Sequence, residues 1–254
     1  MKLFKNKFFT STFILMLSGL STKVLGLIIK IIFTRIVGNT TISLYTIVMP
    51  TYSLLLTIGT FAMPTTIAKL IAQNKDKKVL NNALNIILVL NISLIIIMFI
   101  VSPFIANNLL KEPKTYYLLI AMALTLPFSS IACIFKGYFY GIQKNYPHVL
   151  SNTVEQLIRL ILILTVIPKL IEISYVHAAV GLILTFLFTE AASIIVFSIC
   201  MNKKDVKTMY KLSYSKSDIK DILNLSIPTA VSYTHLTLQV ELLEIYVIFL
   251  NQLF

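Results

Sequence analysis

Residues 82–106 read NALNIILVLNISLIIIMFIVSPFIA, a run without a single charge. A helix rises 1.5 Å per residue, so about 20 mostly apolar residues cross the hydrocarbon of a bilayer. This run is long enough on its own. Five more lie to either side of it, at 9–33, 41–63, 116–136, 148–168 and 176–201, and a seventh begins near Ile219. The connections between them are short and leave no room for a domain outside the membrane. The chain is therefore expected to be an all-α integral membrane protein. Residues 1–201 form a six-helix lobe, 202–217 a basic cytoplasmic loop, and 218–254 the start of a further segment.

Composition agrees. Of the 254 residues, 57% are hydrophobic and 13% charged, against about 25% charged in a soluble domain. The net charge of +12 would suggest nucleic acid on a soluble chain. Here its distribution explains it without a nucleic-acid partner. Cytoplasmic loops collect Lys and Arg. Fifteen of the 22 basic residues fall at one side: Lys2, Lys5 and Lys7; Lys69, Lys75, Lys77 and Lys78; Lys136 and Lys144; then Lys203, Lys204, Lys207, Lys211, Lys216 and Lys220. Lys30, Arg35, Lys111, Lys114 and Lys169 fall at the other, and Lys23 and Arg159 lie within spans. The asymmetry predicts a cytoplasmic N-terminus and a basic loop resting on anionic membrane lipids. The first span runs past Lys23 with no clear cleavage site, so it is expected to be retained. Pro50, Pro64, Pro103, Pro127 and Pro168 interrupt the spans as expected kink points.

Charges inside a bilayer are costly and mark function by default. Gly19, Lys23, Gly26 and Lys30 share one stripe of the first helix, with Thr12, roughly 60° wide. The stripe either lines a wet cavity for an anionic group, or packs helices through Gly19 and Gly26 while its lysines reach the interface. In the fifth span, Ser151, Glu155 and Arg159 are each four apart. Glu before Arg at that spacing favours an ion pair, either a structural staple or a gate. Glu190, in the middle of the sixth span, is open to three roles: pairing with Lys23 or Arg159, carrying a proton, or contacting substrate. His177 is expected at the interface. Cys133 and Cys200 read as small apolar residues, and no metal-ligand spacing, nucleophile–base set or phosphate loop appears. Neither a cofactor nor enzymatic activity is expected.

Two blocks carry a resemblance. The first holds Gly19, Lys23, Leu25, Gly26, then Thr34-Arg35-Ile36-Val37-Gly38, Tyr45, Met49-Pro50, Tyr52, Gly59, Pro64 and Ala68-Lys69. The second is Phe135-Lys136-Gly137-Tyr138-Phe139-Tyr140-Gly141, Gln143, Pro147, Ser151, Glu155-Gln156 and Arg159. Together they resemble the stage V sporulation protein B family of the multidrug/oligosaccharidyl-lipid/polysaccharide flippase superfamily, over about 1–230.

The resemblance implies two pseudo-symmetric six-helix lobes around a cavity, alternating access, and export of a lipid-linked oligosaccharide or peptidoglycan precursor in cell-wall or spore-cortex synthesis. It implies a bacterial plasma membrane location. Lys23, Arg35 and Arg159 match the family's cationic cavity positions, Glu190 an acidic one, and Lys136, Gly137 and Gly141 belong to a motif read as a loop. It also implies that a C-terminal lobe is missing here. Where the family commonly has glycine before Tyr45, this chain has Ser43-Leu44. The string Val231-Ser232-Tyr233-Thr234-His235-Leu236-Thr237-Leu238 departs from the family's seventh helix and resembles translated adapter sequence. Residues beyond about Thr229 are thus expected to be non-native, and Glu241 and Glu244 fit a clean span poorly. A drug/cation antiporter of the same superfamily and a non-transporting scaffold or fragment are the alternative readings.

Overall fold

The computed structural model describes residues 7–73, 77–211 and 214–253, and side chains within 13–240 of these except at 14, 15, 17 and 18. Thr12, Glu241 and Glu244, and Lys2, Lys5 and Lys75, lie outside what is described at side-chain level. The elements are α1 (Lys7–Val37), α2 (Asn39–Thr60), α3 (Met63–Ala72), α4 (Val79–Phe104), α5 (Thr115–Gly141), α6 (Tyr146–Thr165), α7 (Ile167–Ile173), α8 (Tyr175–Cys200), α9 (Lys203–Tyr210) and α10 (Lys216–Leu253). A single π-helical turn, Ile105–Leu109, follows α4 two residues after Pro103. No strand occurs among the described residues, and the all-α membrane fold is as expected.

Four segments are long and apolar enough to cross a membrane: Asn39–Ala72, Val79–Leu109, Thr115–Gly141 and Tyr175–Cys200. Helices also occupy the first and fifth predicted spans, as α1 and α6. The first half of α6 is polar, with His148, Ser151, Asn152, Glu155, Gln156 and Arg159. Ser151 and Gln156 are buried, and His148, Asn152, Glu155 and Arg159 are half-buried. A helix with its polar face turned inward loses mean hydropathy without losing its place in a bundle.

Two prolines start helices instead of bending them. Pro64 and Pro168 sit at the first positions of α3 and α7, where a missing N–H costs nothing. Between α2 and α3 the chain turns through Phe61 (φ 50°) and Ala62 (φ 52°). Both lie in the left-handed region that side chains with a Cβ rarely adopt. The break strips Gly59 of its helical hydrogen-bond partner. Asn91 Nδ2 of α4 donates to Gly59 O at 3.1 Å, and Ser130 Oγ of α5 at 2.9 Å, while Asn91 Nδ2 also reaches Ser130 Oγ at 3.0 Å. In hydrocarbon an unsatisfied carbonyl costs several kcal/mol, so this buried knot holds the break in place.

α5 is the central helix, packed by α2, α3, α4 and α8. A Cβ on Gly137 would meet Pro64 O at 2.8 Å, and one on Gly141 would meet Ile71 Cβ at 2.7 Å and Ala68 O at 2.9 Å. These two glycines, four apart on one helix face, let the backbones of α3 and α5 touch. Beside them Phe135, Phe139 and Phe197 are fully buried, the first and last stacked at 6.1 Å. A separate cluster joins Ile29, Phe33 and Val37 of α1 to Ile163, Ile167, Ala178 and Leu182.

The expected loop at 202–217 contains the helix α9, capped by Asn202 Oδ1 accepting from Lys204 N at 3.2 Å. Its Asp205 ties it down: Lys77 Nζ and Tyr138 Oη each donate to Asp205 Oδ2 at 2.6 Å. α10 then runs unbroken through Pro228, with Ser226 Oγ donating to Thr66 Oγ1 at 2.9 Å.

Candidate functional site

Four charged side chains from three helices converge within the lobe: Lys136 of α5, Glu155 and Arg159 of α6, and Glu190 of α8. All four are half-buried. Lys136 Nζ lies 3.7 Å from Glu155 Oε1, and Ser151 Oγ donates to the same oxygen at 3.2 Å while touching Ser193 Oγ at 2.5 Å. Arg159 stacks its guanidinium 4.7 Å from the Phe186 ring. Phe186 in turn lies 5.3 Å from Tyr52, whose hydroxyl is 3.0 Å from Thr125 Oγ1. Tyr45 also feels the Arg159 charge. Glu190 lies within electrostatic reach of Lys136, Glu155 and Arg159, and Ser129 of α5 bonds to its carboxylate.

The within-helix ion pair expected between Glu155 and Arg159 is not formed: among the described residues no salt bridge joins them. Lys136 reaches the carboxylate from α5 instead, and an aromatic face holds the guanidinium by cation–π attraction. The motif expected as a loop is helical. Lys136, Gly137 and Gly141 occupy the last two turns of α5, so Lys136 is an interior residue and not part of a cytoplasmic connection.

Buried polar atoms are almost always partnered, and those that are not point to a ligand, water or strain. Four buried side-chain atoms have no hydrogen-bond partner among the described residues: His148 Nδ1, Gln156 Oε1, Arg159 Nε and Glu190 Oε2. All belong to α6 or α8. His148 Nε2 is engaged, 3.0 Å from the Tyr140 hydroxyl. The cluster thus has an open donor on a fixed cation and an open acceptor on a carboxylate.

The structure does not bring the first helix's candidates into this cluster. Lys23, Lys30 and Arg35 are exposed, and none makes an ion pair among the described residues. Nothing lies within 4 Å of where a Cβ would sit on Gly19 or Gly26. Helix contact through glycine occurs at Gly137 and Gly141 instead. His177 is exposed near the start of α8, and Cys133 and Cys200 are free thiols. Sequence reasoning missed the interior role of Lys136 and the aromatic lining from Tyr45, Tyr52 and Phe186. The spacing of Lys136 after Cys133, with no helix stop between them, was the available signal.

The sequence profile described as polysaccharide biosynthesis protein matches residues 8–248. The chain belongs to the polysaccharide biosynthesis protein family. This family member is 29% identical over 211 residues to stage V sporulation protein B of Bacillus subtilis (strain 168), covering 80% of this chain and 41% of that protein. It is 27% identical over 175 residues to the lipid II flippase MurJ of the same organism, covering 63% and 32%. The chain therefore spans less than half the length of either relative. Its fold matches the crystal structure of MATE in the straight conformation with a TM-score of 0.66, at 16% identity, over 85% of this chain and 50% of that one.

Proposed function

We propose that this family member forms the N-terminal lobe of a flippase that exports a lipid-linked saccharide, such as a peptidoglycan or polysaccharide precursor, across a bacterial plasma membrane. The observation that carries the reading is the unpartnered Arg159 Nε in a cluster with Glu190, which lies within its electrostatic reach and whose Oε2 is also unpartnered. A diphosphate would take the guanidinium donors, as planar forks favour phosphate oxygens. Its approach would draw Lys136 from Glu155 as well. Lys23 and Lys30 lie on a face of α1 that no described residue covers, the face a second lobe would complete. Arg35, in the last turn of α1, would hold the substrate at the outer end. Glu155 and Glu190 would keep the cations in place while the site is empty. Two lobes rocking about a site at mid-membrane then give alternating access. The basic residues at one end of the lobe favour a cytoplasmic N-terminus.

The test is a vesicle assay in the full-length protein, reading translocation of a fluorescent lipid-linked saccharide diphosphate. Lys23→Gln and Arg159→Gln should each slow it at least tenfold with normal insertion. Wild-type rates in both would overturn the assignment. The unpartnered Glu190 oxygen favours one second reading, a carrier of organic cations. It requires a cationic dye to bind the wild type and not Glu190→Gln.

A further inference from the structure

α5 runs the length of the lobe, with Tyr138 at the Lys77–Asp205 end and Lys114 at the other. At the Lys114 end, α5, α7 and α8 leave a groove of about 800 Å3 lined by apolar side chains, among them Tyr117, Ile120, Leu124, Leu170, Val180 and Leu184. That size lies within the range of about 300–1,000 Å3 usual for small-ligand sites. Tyr117 is 60% exposed and Leu124 42%, so the groove is open along its length. Lys114 and His177 line it as well.

The Lys114 ammonium donates to the Tyr175 hydroxyl and lies 4.8 Å from the centroid of that ring. Lys114 lines the groove while its ammonium bonds to Tyr175 beside it, so one exposed positive charge stands at the groove's edge. The two connections at this end carry Lys111, Lys114 and Lys169 against Glu112 and Glu172, so the local balance is positive. In a bilayer an apolar groove alone selects nothing, because the surrounding lipid is as apolar as the groove. Selection must come from the charge of Lys114.

We propose that this groove is a binding site for an anionic membrane phospholipid, with one acyl chain laid between α5 and α8 and its phosphate on Lys114. The site is separate from the charged cluster and does not depend on what is transported.

The chain, purified in detergent and delipidated, is titrated with phosphatidylglycerol or phosphatidylcholine carrying identical acyl chains, and bound lipid is counted by native mass spectrometry. One phosphatidylglycerol should be retained with about fivefold preference, the worth of one lysine beside an anionic headgroup. Lys114→Gln should bring the ratio of the two lipids to one. Its side chain is exposed, so the thermal midpoint should not move. Val180→Trp, which fills the groove, should reduce retention of both lipids. Equal retention by the wild type, a ratio unchanged in Lys114→Gln, full retention in Val180→Trp, or a dimer of the chain covering the groove would each overturn the proposal.

Discussion

Lys136 Nζ of α5 stands 3.7 Å from Glu155 Oε1 of α6, the two side chains 19% and 12% exposed. This one pair joins two helices through the middle of a polar cluster that also holds Arg159 and Glu190. A buried pair adds little over a well-packed apolar one, but removing one partner strands a charge and costs about 3–5 kcal/mol. Lys136→Met strands Glu155 and takes away a cation that Glu190 also feels. A large fall in the thermal midpoint in detergent is expected, with partial recovery in the double variant Lys136→Met/Glu155→Gln. A single variant as stable as the wild type would mean the pair is not shielded.

Gly137 and Gly141 are expected to tolerate nothing larger. A Cβ at either would come within 2.9 Å of α3 backbone oxygens, and overpacking of this kind costs about 1–3 kcal/mol. Gly137→Ala and Gly141→Ala should each lower the thermal midpoint, whereas Gly19→Ala and Gly26→Ala, inside α1 with open space around them, should hold or raise it, because alanine is the better helix former.

Much of this was legible before the structure. Runs such as 82–106 fixed the class because length and absence of charge suffice to identify a span. The α2–α3 break was not legible: Phe61 and Ala62 are ordinary residues in a left-handed turn, and the compensation comes from Asn91 and Ser130, far away in sequence. Gly137 and Gly141 look like helix stops, yet they end up as contact points because α3 lies against them. Lys136, at the end of the apolar run 116–136, reads as part of the connection that follows. The Glu155–Arg159 spacing correctly placed both on one face, but i,i+4 geometry cannot know that Lys136 and Phe186 compete for them.

Asp205 gives the lobe a pH-sensitive clasp. Burial would raise its carboxyl, but the bonds from Lys77 and Tyr138 outweigh it and hold the group below the usual carboxylate range. A lowered folded value means the clasp contributes stability above the unfolded value near 3.8, and loses it as pH falls through the folded value. Asp205→Asn should therefore be less stable than the wild type at pH 7. The two should converge as pH falls below about 4, followed by hydrogen exchange of the α9 amides. A difference that stays constant with pH would show that the carboxylate charge is not what holds α9.

Asn91→Leu is expected to loosen the α2–α3 break. Ser130 still covers Gly59 O, so the loss should be about 0.5–1.5 kcal/mol, the net worth of one hydrogen bond. Adding Ser130→Ala should cost more than the two single changes together, read as thermal midpoints. Strict additivity would mean that the two side chains do not share the carbonyl.

The most direct test of the central claim is translocation of a lipid-linked saccharide diphosphate by the full-length protein with Arg159→Gln and Arg159→Lys compared side by side. If the guanidinium grips the diphosphate, Arg159→Gln loses at least tenfold in rate. Arg159→Lys then keeps part of it, because the charge remains while the planar fork is gone. Wild-type translocation in Arg159→Gln, with the protein inserted normally, would contradict the account.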